Sequence, residues 1–597
     1  MGFEYALVHL KYTIPPAIVL TYAYRPFFSR IDIYKILFLV VVAIVATIPW
    51  DSYLIRRKIW TYPPHVIIGP SLFSIPAEEV FFFFIQTYDT TLIYLLLNKP
   101  ILHSVYLRGR GLGQKPPLRK SCAVGQLFFA SLICTGAWIL WKGGRGTYMG
   151  LILTWAGPFA LFLWSLSYQF LVGLPYTSTV VPIVAPTLYL WVVDTIALRR
   201  GTWSIESGTK FGIHLWEGLE IEEAVFFLAT NILVVFGLVA FDNAMAILLT
   251  FPSIFPTVPA LPAPALMVKA LLTSTTRYDL TRVRGISQAA NRLQRKSRSF
   301  YLASSVFSGR LRIDLVLLYS FCRVADDLVD ESSTEVEARK WITKLTEYLD
   351  LAYESPKDAY QISDNPKLCS YITANFPESI QTALRLLPTH LLSSRPLYEL
   401  LEGFKTDLEF HESKLTDNGR RFPIEDESEL ERYCACVAGT IGELCLELVF
   451  HHTSSVLSIT QKEQLRNSGR RMGIALQRVN IARDIVTDAT IGRVYLPTIW
   501  LGEAGLTPRD VLKRPSHPTI EVLRSKLLKM AFLEYRKAQG ALSKLPVDAR
   551  APMRVAVESY MEIGRVLSTK GYKVKEGKAT VPKLRRLEVA WKALKEG

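Results

Sequence analysis

Two pairs of aspartates with the same spacing occur in the second half of the chain. Asp326 and Asp330 lie in an otherwise apolar run, and Asp484 and Asp488 repeat the spacing downstream. On a helix, residues four apart project from one face, so each pair would stack two carboxylates one turn apart. Two such faces opposed across a helical bundle could hold hard cations such as Mg²⁺, which prefers oxygen ligands and commonly shares phosphate oxygens. The pattern predicts a metal site for a diphosphate, with two solvated acidic faces as the alternative.

Cationic and aromatic side chains accompany these aspartates. Arg323, Arg483 and Arg493 lie beside the two pairs, and the planar fork of an arginine matches phosphate oxygens. Residues 296–301 combine cations, hydroxyls and aromatics, which suit diphosphate oxygens and an adjoining prenyl chain. The small residues of 438–442 would thin one helix face, which leaves room either for a neighbouring helix or for a long substrate.

A doubled acid occurs twice in the first half, each time next to phenylalanines: Glu78 and Glu79, then Glu222 and Glu223. Ionisable groups at membrane depth are costly, so they usually face the protein interior and carry a function. A carboxyl group in an apolar pocket stays protonated and can act as a general acid, and aromatic faces stabilise cations. These features suit protonation of an alkene in a lipophilic polyene, followed by ring closure and proton loss. Helix capping is the alternative.

Composition divides the chain into two halves. Of its 597 residues 50% are hydrophobic, and the mean hydropathy is +0.21. Apolar residues crowd the first 270 positions and charge is dense after about 275, which predicts a membrane half followed by a soluble half. The net charge of +16 is spread without a nucleic-acid recognition motif, so anionic lipid and a diphosphate are the expected partners. Seven cysteines without metal-ligand spacing favour a reducing environment.

Seven apolar stretches have the length of about 20 residues that a bilayer requires. They are 3–24, 34–50, 77–97, 122–141, 148–172, 179–198 and 222–241. The lysines and arginines of the loops do not settle the orientation, but the soluble half after the seventh stretch should be cytosolic. We therefore expect a multi-pass protein of the endoplasmic reticulum or another intracellular membrane. A retinal-type receptor is disfavoured because no lysine occurs between Lys210 and Lys269, whereas a transporter stays open.

The membrane half repeats itself. Residues 51–60 align with 194–203 at an offset of 143, and 75–84 align with 219–228 at an offset of 144. Two related three-helix units are implied, with a site between them. Asp51 and Asp194, which begin the first aligned segments, are either ion-paired boundary residues or functional groups. We expect a membrane domain over 1–245, a proline-rich linker over 246–284 that cannot be one continuous helix, and an all-α bundle over 285–597.

The repeated Pro/x-x-Glu-Glu-x-x-Phe-Phe pattern resembles the small membrane-bound lycopene cyclases of the heterodimeric type, here with both units in one chain. The likeness covers about residues 1–240 and departs from the motif at Glu220, where the first unit has Pro76. It implies catalytic roles for Glu78, Glu79, Glu222 and Glu223 in closing lycopene ends into β-rings without net redox change. No cofactor is evident for this reaction.

The second half resembles the squalene and phytoene synthase family over about residues 285–590. Its motifs are Ser-Arg-Ser-Phe, Tyr-x-x-Cys-Arg-x-x-Asp-Asp-x-x-Asp, Val-Ala-Gly-Thr-x-Gly and Gln-x-x-Asn-x-x-Arg-Asp-x-x-x-Asp, followed by Arg-x-Tyr. The resemblance implies Mg²⁺ or Mn²⁺ at Asp326, Asp330, Asp484 and Asp488. It also implies a set of substrate-binding residues: Ser297, Arg298, Phe300, Tyr301, Tyr319, Arg323, Gln477, Asn480, Arg483, Arg493 and Tyr495.

Together the two halves resemble the fungal bifunctional lycopene cyclase/phytoene synthases. This resemblance implies head-to-head condensation of two geranylgeranyl diphosphates to phytoene, and cyclisation of lycopene and related carotenes to β-carotene. It implies a lipid bilayer as a partner and leaves room for association with other carotenoid enzymes or for self-association. The alternative is a squalene-synthase-like transferase with an N-terminal anchor or transporter domain.

Overall fold

The structure, a computed structural model, forms two compact units, Met1–Val283 and Arg284–Gly597. It describes residues 2–63, 65–107, 117–354, 365–415, 422–453, 457–569, 572 and 581–596. Both units are helical, and the strands among the described residues form three two-stranded sheets. The all-α prediction is confirmed.

The first unit contains the predicted long apolar helices. Among the residues that the structure describes, seven helices are long and apolar enough to cross a membrane, and six of them lie in this unit. The seventh, Glu427–His452, belongs to the second unit. The predicted span 3–24 is not among these seven helices, because it is helical in three consecutive segments, of which the middle one is a π-helix. The helices of this unit are Glu4–Val8, His9–Thr13, Ile14–Tyr24, Arg30–Arg56, Ala77–Asn98, Pro117–Lys142, Thr147–Gly173, Tyr176–Arg199, Ile221–Thr250 and Pro264–Leu271.

Short strands join the two repeats and introduce the glutamate helices. Trp60–Thr61 pairs antiparallel with Ser204–Ile205, its counterpart in the second repeat. The hairpin of Ser71–Leu72 with Ile75–Pro76 leads directly into the helix Ala77–Asn98. The second repeat has the equivalent arrangement, a hairpin of His214–Trp216 with Leu219–Glu220 before the helix Ile221–Thr250.

The proline-rich segment is packed rather than extended. Helix Ile221–Thr250 runs through its first residues, and Phe251 and Phe255 are buried in the core of the first unit. The short helix Pro264–Leu271 buries Met267 and Ala270 in the same core. The predicted linker over 246–284 therefore packs almost entirely with the first unit, whereas the limits of the two activities stay predictions.

The second unit is a bundle of helices around two hydrophobic clusters. The helix Gly309–Asp330 carries the first aspartate pair, and Ile459–Thr490 carries the second. The remaining helices are Leu280–Lys296, Arg298–Ser304, Glu335–Glu354, Pro366–Asn375, Glu378–Arg385, Ser394–Leu415, Glu427–Cys434, Thr440–His452, Thr498–Glu503, Pro508–Lys513, Pro518–Gln539, Val547–Leu567 and Lys583–Lys595.

Glycines let two of these helices approach closely. A Cβ on Gly442 would lie 2.3 Å from the carbonyl oxygen of Gly469, and a Cβ on Gly473 would lie 2.2 Å from that of Ala438. The small-residue face of 438–442 thus packs against a neighbouring helix. Ala438 and Gly442 also border a cavity, so this face serves both of the uses that its composition allows.

Candidate active sites

A cavity of about 790 Å³ lies within the second unit. Its volume is in the range typical of ligand pockets. Apolar side chains such as Phe404, Ile441 and Leu476 form much of its wall. Ten predicted site residues line it: Ser297, Arg298, Phe300, Tyr319, Arg323, Asp326, Gln477, Asn480, Arg483 and Asp484. The cavity thus combines an apolar wall with the predicted polar groups.

Five predicted site residues lie outside this lining. Asp330 and Asp488 follow the lining aspartates by one helical turn. Arg493 contacts Asp330 and lies near Asp488, and Tyr495 contacts Arg493. Tyr301 lies toward the buried Arg312 instead, so no contact with the cavity supports its predicted role in substrate binding.

Arginines hold the aspartates of the site. Arg323 Nη1 lies 2.9 Å from Asp326 Oδ2. Arg483 Nη2 lies 2.5 Å from Asp484 Oδ2. Among the described residues no three histidine, cysteine or acidic side chains converge as a ready metal site. In this structure the carboxylates of Asp326 and Asp484 are instead paired with arginines.

Burial alters the acidity of Asp326 and of Asp488. Burial together with the nearby Asp330 raises the pKa of Asp326 to about 7. Burial together with Asp484 raises the pKa of Asp488 to about 8. A cation bound to these carboxylates would favour their ionised form, so its binding would release protons near neutral pH.

Asp407 is a site residue that the sequence did not identify. Its buried carboxylate accepts hydrogen bonds from Tyr433 Oη at 3.0 Å and from Tyr495 Oη at 2.7 Å. The two tyrosine rings are stacked, with centroids 5.0 Å apart. Burial raises the pKa of Asp407 to about 6. The available signal was one acid in the apolar helical segment 401–408, which is weaker than a repeated pair.

Tyr560 is a second residue that sequence reasoning missed. Its hydroxyl donates to Asn480 Oδ1 at 2.8 Å, and Arg483 Nη2 donates to the same oxygen at 2.5 Å. The ring of Tyr560 stacks on Phe300, with centroids 5.2 Å apart. Tyr560 therefore links the predicted residues of two different motifs.

The glutamates of the first unit are all buried, and the two members of each pair make different contacts. Glu78 Oε1 accepts from the backbone N–H of Ile68, and Glu222 Oε1 accepts from that of Phe211, both at 2.7 Å. These first members, here called the outer glutamates, hold the loop that precedes their helix. They make the same kind of contact in both repeats.

The second members, here called the inner glutamates, accept hydrogen bonds from phenols. Glu79 Oε2 accepts from Tyr5 and, at 2.7 Å, from Tyr62. Glu223 Oε1 accepts from Tyr148 at 2.8 Å. Sequence reasoning did not identify these three tyrosines, because two of them lie more than 70 residues from the glutamate that they contact.

Aromatic contacts cross between the repeats. Tyr5 packs against Trp203 of the second repeat, with ring centroids 5.0 Å apart. Tyr148 packs against Trp60 of the first repeat at 6.2 Å. The inner glutamates therefore lie in a common aromatic region between the repeats.

Two further carboxylates are buried in this region. Asp194 accepts from Trp203 Nε1 at 3.1 Å. Asp51 is fully buried, and neither of its oxygens has a hydrogen-bond partner among the described residues. This environment does not support the interpretation of Asp51 as an ion-paired boundary residue.

Comparison with known proteins places the chain in a family. The squalene/phytoene synthase family model matches residues 293–585. A bifunctional lycopene cyclase/phytoene synthase of Leptosphaeria maculans is 55% identical over 594 residues, which cover 100% of both chains. The chain belongs to the bifunctional lycopene cyclase/phytoene synthase family.

Other members of the bifunctional lycopene cyclase/phytoene synthase family match over the same extent. The protein of Pyrenophora tritici-repentis is 55% identical over 594 residues, and that of Neurospora crassa is 48% identical over 610 residues; each alignment covers 100% of both chains. Among solved structures, a dehydrosqualene synthase in complex with ligand has 22% identity and a TM-score of 0.41, covering 52% of this chain and 96% of its own. The bifunctional relatives thus align with both units of the chain.

Charged residues are also buried at the other end of the long apolar helices in this lycopene cyclase/phytoene synthase family member. Lys35 Nζ lies 2.5 Å from Asp242 Oδ1, and Tyr94 Oη donates to Asp242 Oδ2 at 2.8 Å. Asp242 follows Glu223 by 19 residues on one helix, a rise of about 28 Å at 1.5 Å per residue. The pair is therefore remote from the glutamates.

Proposed function

We propose that the second unit condenses two geranylgeranyl diphosphates head to head to phytoene, and that the first unit cyclises the ends of lycopene to β-rings, giving β-carotene. The observation that carries this proposal is the full-length match to bifunctional lycopene cyclase/phytoene synthases. The presence of two separate acidic sites, one in each unit, supports it.

In the synthase unit, Asp326, Asp330, Asp484 and Asp488 would hold divalent cations such as Mg²⁺ or Mn²⁺. The donor set fits these cations because all of its ligands are carboxylate oxygens, and because the raised pKa values of Asp326 and Asp488 reflect burial and, after it, neighbouring carboxylates. When bound, the cations would neutralise the departing diphosphate.

Arginines of the same unit would bind the diphosphate oxygens. The Nε atoms of Arg323 and Arg493 are buried and have no hydrogen-bond partner among the described residues. Each arginine also holds an aspartate, so a diphosphate that engages the arginines would free carboxylate oxygens for cations. By this exchange, the same aspartates would form ion pairs without substrate, as in the structure, and would act as metal ligands when the diphosphate is bound.

The apolar wall of the cavity would receive the prenyl chains, with Phe300 and Tyr319 near the polar end. Loss of diphosphate leaves an allylic cation, which aromatic faces stabilise. The reaction of the family passes through a cyclopropyl diphosphate, whose own diphosphate then leaves; the resulting cation rearranges, and proton loss completes phytoene. Squalene formation would instead require reduction by NADPH.

In the cyclase unit, the buried glutamates would add a proton to a terminal alkene of lycopene and remove one after ring closure. The aromatic side chains between the repeats would stabilise the intermediate cation. The reaction is an isomerisation, so it has no need of an oxidant or a reductant.

The protein would be a multi-pass membrane protein with its synthase unit in the cytosol, in the endoplasmic reticulum or another intracellular membrane. The apolar helices of the first unit support a membrane location. Lycopene and related carotenes would reach the cyclase unit from the bilayer, and association with other carotenoid enzymes or self-association would assist their transfer.

Product analysis of the purified full-length protein in liposomes tests both activities. Geranylgeranyl diphosphate with Mg²⁺ should give phytoene without NADPH, and lycopene supplied to the same liposomes should give β-carotene. Formation of squalene from farnesyl diphosphate, dependent on NADPH, would favour the alternative of a squalene-synthase-like transferase. Unchanged lycopene would favour an anchor or transporter as the first unit.

A further inference from the structure

The surroundings of the two inner glutamates differ by one phenol. Tyr5 and Tyr148 lie 143 residues apart, at equivalent positions of the repeats, and each donates to the inner glutamate of its own repeat. Glu79 accepts a second hydrogen bond, from Tyr62. At the offset of 143, the residue equivalent to Tyr62 is Ile205, which is buried and has no polar side-chain atom.

This difference bears on which glutamate carries a proton. Hydrogen bonds donated to a carboxylate favour its ionised form. Both inner glutamates are buried; Asp51 lies near Glu79, and Asp194 lies near Glu223 and also near Glu79. The extra hydrogen bond is donated to Glu79, and this bond makes Glu79 the better-stabilised carboxylate of the two. Paired acids whose environments differ in this way commonly divide the acid and base roles.

On the cyclase function proposed above, we infer that Glu223 is the acid that protonates lycopene, that Glu79 is the base that removes the proton, and that Tyr62 is the positioning residue that sets this division. Each glutamate has one buried oxygen without a hydrogen-bond partner among the described residues, Oε2 of Glu223 and Oε1 of Glu79. One oxygen can therefore donate a proton and the other can accept one.

The steps balance without a further reactant. The O–H bond of Glu223 breaks as a C–H bond forms at the terminal alkene, and the electron pair of a second alkene closes the ring. A C–H bond of the ring then breaks, its electrons form the ring double bond, and its proton goes to Glu79. Substrate and product are isomers, and return of the proton from Glu79 to Glu223 restores both groups.

Variants of the full-length protein in liposomes loaded with lycopene test the assignment. Glu223→Gln should lower lycopene consumption at least about 100-fold and give no new product, since general acid catalysis commonly contributes that much. Glu79→Gln should still form the cation, which then loses a proton from another carbon or captures water. Its products should therefore include rings with a displaced double bond or a hydroxyl group, resolved by chromatography and mass spectrometry.

Tyr62→Phe and Tyr148→Phe separate the assignment from a general loss of activity, because both glutamates remain. Tyr62→Phe should shift the products toward the same isomers, whereas Tyr148→Phe should change the rate and leave the product composition unchanged. Tyr94→Phe is the matched control, since it also removes a phenol-to-carboxylate hydrogen bond of 2.8 Å, at the remote Asp242. Its products should be those of the wild type.

An exchange of the two glutamate phenotypes would overturn the assignment. Identical product compositions for Tyr62→Phe and Tyr148→Phe would also overturn it. This second test still applies if both glutamine variants are inactive. A wild-type protein that leaves lycopene unchanged would refute the proposed cyclase function itself. Elution of each variant as the wild-type species in detergent shows that it is folded.

Discussion

Arg493 Nη2 lies 2.7 Å from Asp330 Oδ1, although the two residues are 163 positions apart in the chain. The contact joins the helix of the first aspartate pair to the segment that follows the second pair. Arg493 is buried, and its Nη1 also contacts Tyr495 Oη at 3.4 Å. One guanidinium group therefore bridges the first pair and the Tyr495–Asp407 hydrogen bond.

Arg493→Lys should lower the rate of phytoene formation by about 100- to 1000-fold, the usual effect of removing one donor to a developing negative charge. A lysine keeps the charge but lacks the planar fork of an arginine. The two Nη atoms of that fork contact two partners, and its Nε can donate to a diphosphate oxygen. The measurement is phytoene formation from geranylgeranyl diphosphate. Arg471→Lys is the control, because Arg471 is exposed and its nearest acidic partner is 4.0 Å away. Equal rates for the two variants would contradict the bridging role.

Asp326→Asn and Asp484→Asn should each lower phytoene formation by at least about 100-fold while cyclisation of supplied lycopene continues. Loss of a metal ligand should exceed the 10- to 100-fold effect of losing an outer-shell partner. Glu331→Gln is the matched control, because it removes an exposed acid next to the first motif. If both activities were lost at normal protein levels, the two sites would not be separate.

The affinity of the synthase unit for Mg²⁺ should increase as the pH rises from about 6 to 9. Without a cation the pKa of Asp326 is raised to about 7 and that of Asp488 to about 8, so both are partly protonated near neutrality. Cation binding favours the ionised carboxylates and releases their protons. Calorimetry in buffers of different ionisation heat should find more protons released at pH 7 than at pH 9. Asp488→Asn should reduce that difference, whereas Glu331→Gln should preserve it.

The outer glutamates should be less sensitive to amide substitution than the inner ones. In Glu78→Gln and Glu222→Gln the amide oxygen can still accept from Ile68 N or Phe211 N, so the loop contact survives. Cells that carry these variants should still form β-carotene, with conversion reduced less than about 10-fold, whereas general acid or base loss costs at least about 100-fold. Carotenoid extracts of the cells provide the measurement. Lycopene accumulation equal to that of Glu223→Gln would give the outer pair a catalytic role.

The sequence predicted what short-range spacing determines. Asp326 with Asp330 and Asp484 with Asp488 lie one turn apart on helices, as their spacing requires, and the repeat of 143 residues appears as the pairing of Trp60–Thr61 with Ser204–Ile205. No spacing or repeat in the sequence predicted the contacts between distant segments.

The glutamate pairs show the same limit within one motif. Adjacent residues on a helix project in different directions, so a doubled acid does not reveal which member contacts Tyr5, 74 positions away. Asp407 was missed for a related reason. Its role depends on Tyr433 and Tyr495, which reach it from other segments of the fold.

The Lys35–Asp242 ion pair should be costly to break, since both side chains are at least nine-tenths buried. At the equivalent positions, exchanged between the two repeats, the amide of Asn98 donates a neutral hydrogen bond of 3.0 Å to the backbone carbonyl of Ser178. Asp242→Asn would leave the Lys35 ammonium without its anionic partner, and breaking a buried pair commonly costs about 3–5 kcal/mol. Thermal unfolding in detergent should show the loss.

The double variant Lys35→Met/Asp242→Leu should recover part of that stability, because it leaves no buried charge, although the Tyr94 hydroxyl loses its acceptor. Lys592→Met is the control in the second unit, where the exposed pair with Glu588 contributes at most about 1 kcal/mol. Phytoene formation should survive in every variant, since Asp242 belongs to the first unit. A double variant as unstable as Asp242→Asn would show that the intact ion pair stabilises the unit more than apolar side chains at the same positions do.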